Sequence, residues 1–515
     1  MKKILVNIEP WESRVAVVRD DLLENIYFSS ATDNVIEKAF FKGTVVKVFP
    51  GIQTAFVEIG QERAGFLHIS EIDRDLALNT IEGADQLDII HDNSTLVDHD
   101  DESAPAPRRS SSKANISAIF KEGQEVLVQV SKEPVGEKGA KLTTCFTLPG
   151  RFLVLMPNIG RIGISKKIAS SQERQRLREI LEANLPVGMG AIIRTSAENA
   201  DEGEVSKDVH FLLKDWNEIV EKYKTAPTKT KIHEEVDVSL RVVRDHLDHT
   251  VEAIVTDSKI NQERIYNYLK NVAPEFKYKV VLHEGSSNLF SLYNIDKQVE
   301  NALCKKVYLK SGGSIIIEST EAMTSIDVNT GRFTGKNNLE DTILKTNLEA
   351  AREIVRELHL RNIGGLIVID FIDMNDLKNR QKLVEQFEKH LKEYDKFQSV
   401  VLAVSEFGLV QMTRKRAGKT LLRQLTESCS ACKGTGNVKS VRAESYEVLR
   451  EIDQKLVGFG VKGAIVLSVH PEVFDFVSSV EYNSILALEG KFGVQITFLS
   501  KSTLHKTQFE VSKQS

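Results

Sequence analysis

The sequence has few cysteines and no long apolar run. Four of its 515 residues are cysteine, and two of these are spaced as Cys429-x-x-Cys432. So little cysteine excludes a disulfide-stapled secreted scaffold and favours a reducing compartment, so we expect the protein in the cytoplasm. No apolar stretch approaches the roughly 18 residues of a membrane span, and the opening MKKILVNIEP lacks the apolar core of a secretion signal.

A net positive charge is also lacking. Lys and Arg number 68 against 73 Asp and Glu, which gives −5 and no basic footprint of the kind that nucleic-acid binders show. Seven of the acids lie between Asp85 and Glu102, where there is no Lys or Arg, and without them the formal charge would be +2. We therefore expect residues 80–115 to form a flexible acidic insertion, and we assign it no chemistry.

Length and composition indicate several ordinary globular domains. At about 150 residues per domain, the chain predicts three or four of them. A 41% hydrophobic and 27% charged composition is typical of globular proteins rather than disordered or fibrous ones. Strand-like and helix-like segments alternate between residues 240 and 305. The opening strands, Ile4–Ile8 and Arg14–Arg19, are expected to pair with that region, because some forty residues do not readily fold alone.

Five short strand-like runs flank the insertion and predict a small Greek-key barrel of the oligonucleotide-binding kind. Phe56 and Phe66 fall on its outer face, because their apolar neighbours alternate onto the core face. A base stacked on such a ring is worth roughly 1–3 kcal/mol, and Lys132 at a strand end is placed to contact a phosphate. The alternative is that one or both rings cover a neighbouring domain. The runs are residues 42–49, 53–60, 62–69, 123–132 and 139–148.

A short apolar strand ends in Arg194 and Thr195. The guanidinium group offers a planar fork for phosphate and the hydroxyl a further donor, so the pair is a candidate pocket for a terminal phosphate. An ordinary salt bridge of Arg194 is the alternative.

Carboxylates between Ser314 and Met374 carry the strongest chemical signal. Asp327 and Asn329 share one face of a strand, and Asp370 ends a run that is apolar at every position from Leu366 to Ile369, as in a strand covered on both sides. A helical run between the two strands predicts a crossover that brings both acids to one edge. Two carboxylates and an amide suit Mg²⁺ or Mn²⁺. The alternative is that the acids are caps or loop residues, and Asp373 is at best a supporting residue.

Two features follow downstream. The basic segment Met412–Leu425 is expected to be a solvated helix face. The alternative is that it tracks a nucleic-acid backbone, because it lies close in sequence to the acidic pair. Cys429 and Cys432 supply half of a four-thiolate zinc site, which two chains complete if each contributes one pair. A redox CxxC is the alternative, and we expect no βαβ unit after it.

These motifs together resemble the ribonuclease E/G family over nearly the whole chain. The most specific segments are SIDVNTG, TNLEAA, GGLIVIDFIDM, FGLVQMTRKR and CSACKGTG. The resemblance implies a multidomain α/β and α+β fold. Its parts would be an RNase H-like domain (1–35 and 240–303), an inserted OB-fold RNA-binding barrel (36–145), a 5′-sensor (146–239), a DNase I-like catalytic domain (304–425), a zinc link (426–440) and a small dimerisation domain (441–515).

The resemblance also implies roles for single residues. Asp327 and Asp370 would be Mg²⁺ ligands and catalytic with Asn329; Cys429 and Cys432 would hold Zn²⁺ between subunits; Gly150, Val154, Arg194 and Thr195 would sense a 5′-phosphate; Phe56, Phe66 and Lys132 would grip RNA. Two departures concern the motifs themselves. Ser430 replaces the proline of the family's CPxC, and Lys166 and Lys167 stand where relatives place arginine or glutamine.

The implied activity is metal-dependent cleavage of single-stranded A/U-rich RNA to 5′-phosphate and 3′-hydroxyl ends, favoured by a 5′-monophosphate. Precursor ribosomal RNA and messenger RNA are the implied substrates, in 5′-end maturation and decay. The implied assembly is a homodimer or tetramer. Because the chain stops at Ser515 with a folded-looking end, we expect no scaffold tail for other decay enzymes. The rival hypothesis is a non-catalytic RNA-binding factor of ribosome assembly.

Overall fold

The computed structural model describes residues 1–30, 35–72, 115–134, 138–331, 339–395, 397–416, 418–459, 463–506 and 508–513. The acidic insertion, apart from its last residue, lies outside these ranges. The chain divides into two compact units, Met1–Leu421 and Leu422–Ser515. Among the described residues, no helix is both long and apolar enough to span a membrane.

The strands of the described ranges form five sheets. In chain order, β1 to β24 are Lys2–Ile8, Glu12–Arg19, Leu22–Ser30, Phe40–Phe49, Thr54–Glu58, Gly65–His68, Glu125–Lys132, Lys141–Thr143, Leu148–Pro149, Leu153–Met156, Ile162–Ile164, Gly190–Ile193, Thr230–His233, Val251–Thr256, Val280–Leu282, Lys306–Tyr308, Ser314–Ser319, Met323–Asn329, Gly365–Asp370, Ser399–Val401, Leu409–Arg414, Gly463–Val469, Val494–Ser500 and Phe509–Lys513.

Thirteen α-helices occur in the same ranges. In chain order, α1 to α13 are Ile116–Ile119, Ser171–Asn184, Glu202–Thr225, Val238–His246, Lys259–Val272, Leu289–Leu292, Ile295–Leu303, Leu339–Leu360, Leu377–Tyr394, Leu421–Leu425, Val441–Phe459, Pro471–Ser479 and Tyr482–Phe492.

The first sheet joins the start of the chain to a segment about 250 residues later. Its strand order is β15-β14-β1-β2-β3, and β1 runs parallel to β14 with Ile4 opposite Ile254. The predicted pairing of the opening strands with this region is therefore confirmed. Apolar clusters cover both faces of the sheet, one of them built with α4 and α5.

The predicted barrel is present. Strands β4, β5, β6, β8 and β7 follow one another, and a further pairing of β4 with β7 closes the ring of five. Ala55, Val57 and Leu67 are fully buried inside it. Outside the ring, β13 pairs with β4, so residues Thr230–His233 lie against the barrel.

A four-stranded sheet follows the barrel in the chain, in the order β11-β12-β10-β9. Leu177 and Leu181 of α2 and Val205 and Val209 of α3 pack in its apolar core. Arg194 and Thr195 follow β12 directly, as the sequence predicts.

The sheet that carries the acids has the order β16-β17-β18-β19-β21-β20. Helices α8 and α9 cover one face, and their apolar residues share a core with Ile326 and Ile369. The expectation that Leu366–Ile369 is covered on both sides is wrong, because Leu366 is 44% exposed. The apolar run Leu366–Ile369 does not reveal that helices cover only one face of this sheet.

The unit Leu422–Ser515 has a three-stranded sheet of order β23-β22-β24. Strands β22 and β23 are parallel, and α12 and α13 connect them. The expectation that no βαβ unit follows the cysteine pair is therefore wrong. The pair itself precedes α11 in a series of turns, so neither thiol lies on this unit's strands or helices.

The basic segment Met412–Leu425 is not a solvated helix face. Its first residues belong to β21, and Arg414 is fully buried with both Nε and Nη2 donating to Asp395, at 2.7 and 3.0 Å. Burial of Asp395 opposes its ionisation, but His359 and Arg414 outweigh burial and hold the pKa of this carboxyl far below its ordinary range. The pair joins the end of α9 to β21 beneath the sheet.

Replacing Asp395 by Asn is expected to lower the free energy of unfolding by about 3–5 kcal/mol, because it leaves the buried guanidinium of Arg414 without a counter-charge. Chemical unfolding of the whole chain at neutral pH measures this. The matched control is Glu385→Gln on the exposed side of α9, which should change stability by less than about 0.5 kcal/mol. Equal effects of the two substitutions would contradict the structural role of the pair.

Candidate functional site

Two carboxylates lie opposite each other on neighbouring parallel strands. Strands β18 and β19 pair in a register that makes Asp327 and Asp370 Cα partners. Both side chains are exposed, whereas Ile326 and Ile369, one residue earlier, are buried. The helix α8 between the two strands supplies the predicted crossover. The acids therefore stand on the face of the sheet that α8 and α9 leave uncovered.

Within the described residues, which exclude 332–338, no cation neutralises the charge at this site. Asn329 donates from Nδ2 to Oδ2 of Asp327 at 2.6 Å, and no described Lys or Arg forms an ion pair with either acid. Partial burial and then the negative charges of Asp327 and Asp373 raise the pKa of Asp370. Carboxylates that repel one another, with an amide beside them, are a donor set that suits a hard divalent cation.

Helix α8 holds the loops around the acids through three polar side chains. Asn347, fully buried, donates to the carbonyl of Ile372 at 2.8 Å and accepts from the N–H of Ile372 at 3.1 Å. Glu340 accepts from the backbone N–H groups of Asn375 and Asp376. Glu349 accepts from the backbone N–H groups of Lys310 and Ser311, which lie between β16 and β17. Asn347 lies in TNLEAA, to which the sequence analysis assigned no function.

Arg194 and Thr195 lie at the end of β12. Arg194 donates to Asp245 at 2.6 Å, so the predicted alternative of a salt bridge is present. The exposed Thr195 hydroxyl lies 3.2 Å from that of Ser165, and Ser165 also accepts from the N–H of Lys167. The Thr195 hydroxyl thus lies beside the loop that carries Lys166 and Lys167, and Arg194 is the residue before it in the chain.

Gly150 lies in a loop that a buried carboxylate holds. Asp208 of α3 accepts from the N–H groups of Arg151 and Phe152, at 3.2 and 2.8 Å. A Cβ on Gly150 would meet Oδ2 of Asp208 at 2.5 Å, so only glycine fits. Val154, on β10, is half-buried and pairs with Ile192 of β12. The sequence analysis missed Asp208, which sits unremarkably in a helix.

The barrel presents a row of side chains across four adjacent strands. Phe56 pairs with Phe66, Phe66 with Lys141, and Lys141 with Lys132. Both rings are half-buried, which agrees with the predicted alternation, and Lys132 is exposed. Lys141, which the sequence analysis overlooked, pairs with Glu71.

Cys429 and Cys432 lie in successive turns of the second unit. The N–H groups of Cys432 and Ala431 and then the Cys432 thiol lower the pKa of the Cys429 thiol. Positive φ at Lys433 and Gly434 closes the turn behind the pair. N–H groups that converge on a thiolate favour metal ligation.

Three family models match most of the chain. Residues 147–417, more than half of the chain, match the model of the Ribonuclease E/G family. The chain belongs to the ribonuclease E/G family. Residues 35–144 match the S1 RNA binding domain and residues 428–514 the family's thioredoxin-like domain. The chain is therefore an endoribonuclease with an RNA-binding barrel.

Relatives of similar length support the same assignment. Ribonuclease G of Haemophilus influenzae is 36% identical over 510 residues, and Ribonuclease G of Escherichia coli K12 is 35% identical over 509, each covering 99% of both chains. Ribonuclease E of Haemophilus influenzae is 34% identical over 514 residues, which are 99% of this chain but 52% of that protein. Family membership favours an enzyme over the non-catalytic assembly factor.

Substitution of Asn347 by Ala is expected to slow cleavage roughly 10- to 100-fold, because the loop after Asp370 loses the side chain that fixes it. The dissociation constant for RNA should not change. Steady-state cleavage and RNA binding measure the two effects, and Asn375→Ala, in the same loop but exposed, is the matched control. Unimpaired cleavage by the Asn347 variant would show that the clamp does not position the acids.

Proposed function

We propose that the chain is a Mg²⁺-dependent endoribonuclease that cleaves single-stranded, A/U-rich RNA, leaving 5′-phosphate and 3′-hydroxyl ends. The observation that carries the proposal is the direct pairing of Asp327 with Asp370 on the open face of the sheet. The two Ribonuclease G relatives match the chain end to end and support a similar role. Its substrates would be precursor ribosomal RNA, matured at the 5′ end, and messenger RNA in decay.

Asp327 and Asp370 would hold the cation, Mg²⁺ or Mn²⁺. When bound, it would supply positive charge at the scissile phosphate and polarise the attacking water. Asn329 orients the Asp327 carboxylate through its amide, and Asn347 fixes the chain immediately beyond Asp370. Both amides keep the acids in place against their mutual repulsion, so the site is preformed.

Two further regions would position the RNA. Arg194 and Thr195 would bind a 5′-monophosphate in the sensor, with Gly150 and Val154 shaping the loop and strand beside them. Phe56 and Phe66 would stack bases, while Lys132 contacts a phosphate. Arg194 already pairs with Asp245, so a terminal phosphate would share the guanidinium group with that carboxylate.

The domain division follows from the same proposal. Residues 1–35 and 240–303 would form the RNase H-like domain, 36–145 the barrel, 146–239 the sensor and 304–425 the DNase I-like catalytic domain. Residues 426–440 would be the zinc link and 441–515 the dimerisation domain. Cys429 and Cys432 would bind one Zn²⁺ together with the same pair of a second copy, in a cytoplasmic homodimer or tetramer.

Cleavage of one short single-stranded RNA tests the activity. Wild type should cut internally with Mg²⁺ and stop with EDTA, and Asp370→Asn should abolish cutting while RNA binding stays nearly intact. Cutting should also weaken as the pH falls through the raised pKa of Asp370, because a proton then competes with the cation. Retained cleavage by Asp370→Asn would refute the metal site.

The same RNA, prepared with either a 5′-monophosphate or a 5′-hydroxyl, tests the sensor. Faster cutting of the monophosphate, lost in Thr195→Ala, supports the pocket. Ser206→Ala, on α3, is a control that leaves the pocket unchanged. Equal rates on both RNAs would keep the nuclease and remove the sensor.

Metal analysis tests the zinc link. Four thiolates complete one site, so we expect about half a zinc ion per chain and a dimeric mass. Cys432→Ser should lose both the zinc and the dimer, whereas Cys304→Ser, in the other unit, should lose neither. One zinc per chain at monomeric mass would contradict sharing between subunits.

A further inference from the structure

A third aromatic ring lies beside the two that the sequence pattern identifies. Phe49 ends β4, and its strand partner across the hairpin is Thr54. Because Phe56 follows two residues later on β5, the two phenylalanines are diagonal neighbours on the outer face. Their ring centroids are 5.5 Å apart with the planes at 80°. Phe49 is 38% exposed, so it extends the surface formed by Phe56 and Phe66 towards the tip of the hairpin.

A lysine accompanies this ring. Lys47 pairs across the strands with Phe56, and its Nζ lies 5.1 Å from the centroid of Phe49. Lys47 is exposed, and no described carboxylate forms an ion pair with it. By contrast, Lys141 at the other side of the rings is paired with Glu71. Among the described residues, no carboxylate therefore competes with an external anion for the ammonium group of Lys47.

Phe49 does not contribute to the apolar core at the hairpin tip. The apolar core of the barrel includes neighbouring Val48 at its margin but does not include Phe49. The turn after it, Pro50–Ile52, is closed by backbone geometry, with Gln53 at a φ of 48° and its N–H bonded to Pro50. An exposed aromatic ring and an ammonium group beside it are groups that bind a nucleotide by stacking and charge.

We propose that Phe49 and Lys47 form a further nucleotide subsite, so that the barrel stacks three consecutive bases of a single strand instead of two. The inference rests on the proposed function and deepens it, since it names the part of the RNA that this hairpin binds. Phe49 stacks the base, and Lys47 contacts the adjoining phosphate. Stacking is tolerant of sequence, so the subsite adds affinity without reading a particular base.

Binding of fluorescently labelled single-stranded RNA to the full chain tests the subsite, with Asp370→Asn as the background that prevents cutting. Phe49→Leu keeps an apolar side chain but removes the ring, and it should weaken binding roughly tenfold, within the range of about 5- to 150-fold for one lost stack. Phe49→Tyr should bind like the background protein. Lys47→Gln should make the dependence of log affinity on log salt shallower by about 0.7.

Two controls separate this inference from the proposed function. Phe56→Ala should weaken binding whether or not the third subsite exists, and Tyr278→Leu, which removes an aromatic ring that is 78% exposed on another part of the chain, should not. Unchanged affinity of Phe49→Leu beside a weakened Phe56→Ala would overturn the third subsite and leave the barrel as an RNA-binding surface. Unchanged RNA affinity in both Phe49→Leu and Phe56→Ala would overturn the third subsite and also the barrel as an RNA-binding surface.

Discussion

The register between β18 and β19 is the constraint on which the site depends. It sets Asp327 directly opposite Asp370 on one face, and it sends Ile326 and Ile369 into the core on the other. Since side chains alternate along a strand, a slip of one residue would bury the acids and expose the core. The apolar packing of Ile326 and Ile369 against α8 and α9 therefore fixes the position of the two acids as well as the fold.

The same arrangement holds the negative charges of Asp327, Asp370 and Asp373 close together, and their repulsion opposes folding. Partial burial raises the pKa of Asp370 first, and the negative charges of Asp327 and Asp373 raise it further. Clustered carboxylates lower the stability of the fold but favour cation binding, because a bound cation offsets the repulsion between them. The buried side chain of Asn347 and the buried pair of Arg414 and Asp395 supply rigidity from residues other than the exposed acids.

Strand alternation and motif spacing predict a large part of this molecule. Strand alternation places Phe56 and Phe66 outside the barrel, because it depends only on the local period of the side chains. The strand–helix–strand order places both acids at one edge, because it implies a simple crossover. They do not reveal that Arg414 is buried, because a basic run looks solvated until a distant Asp395 is known to meet it. Partners far apart in sequence, such as Asp208 and the loop at Gly150, likewise leave no local signal.

The barrel's strand order has a consequence for how the chain tolerates changes in length. In the ring, β6 is neighbour to β8, so the connection from β6 to β7 does not close a hairpin and does not set the register of either strand. Segments added there cost only the slowly growing entropy of closing a longer loop. The acid-rich stretch lies in this connection. A hairpin such as β4–β5 relies on its short turn for register, so residues are added at lower cost between β6 and β7 than within that hairpin.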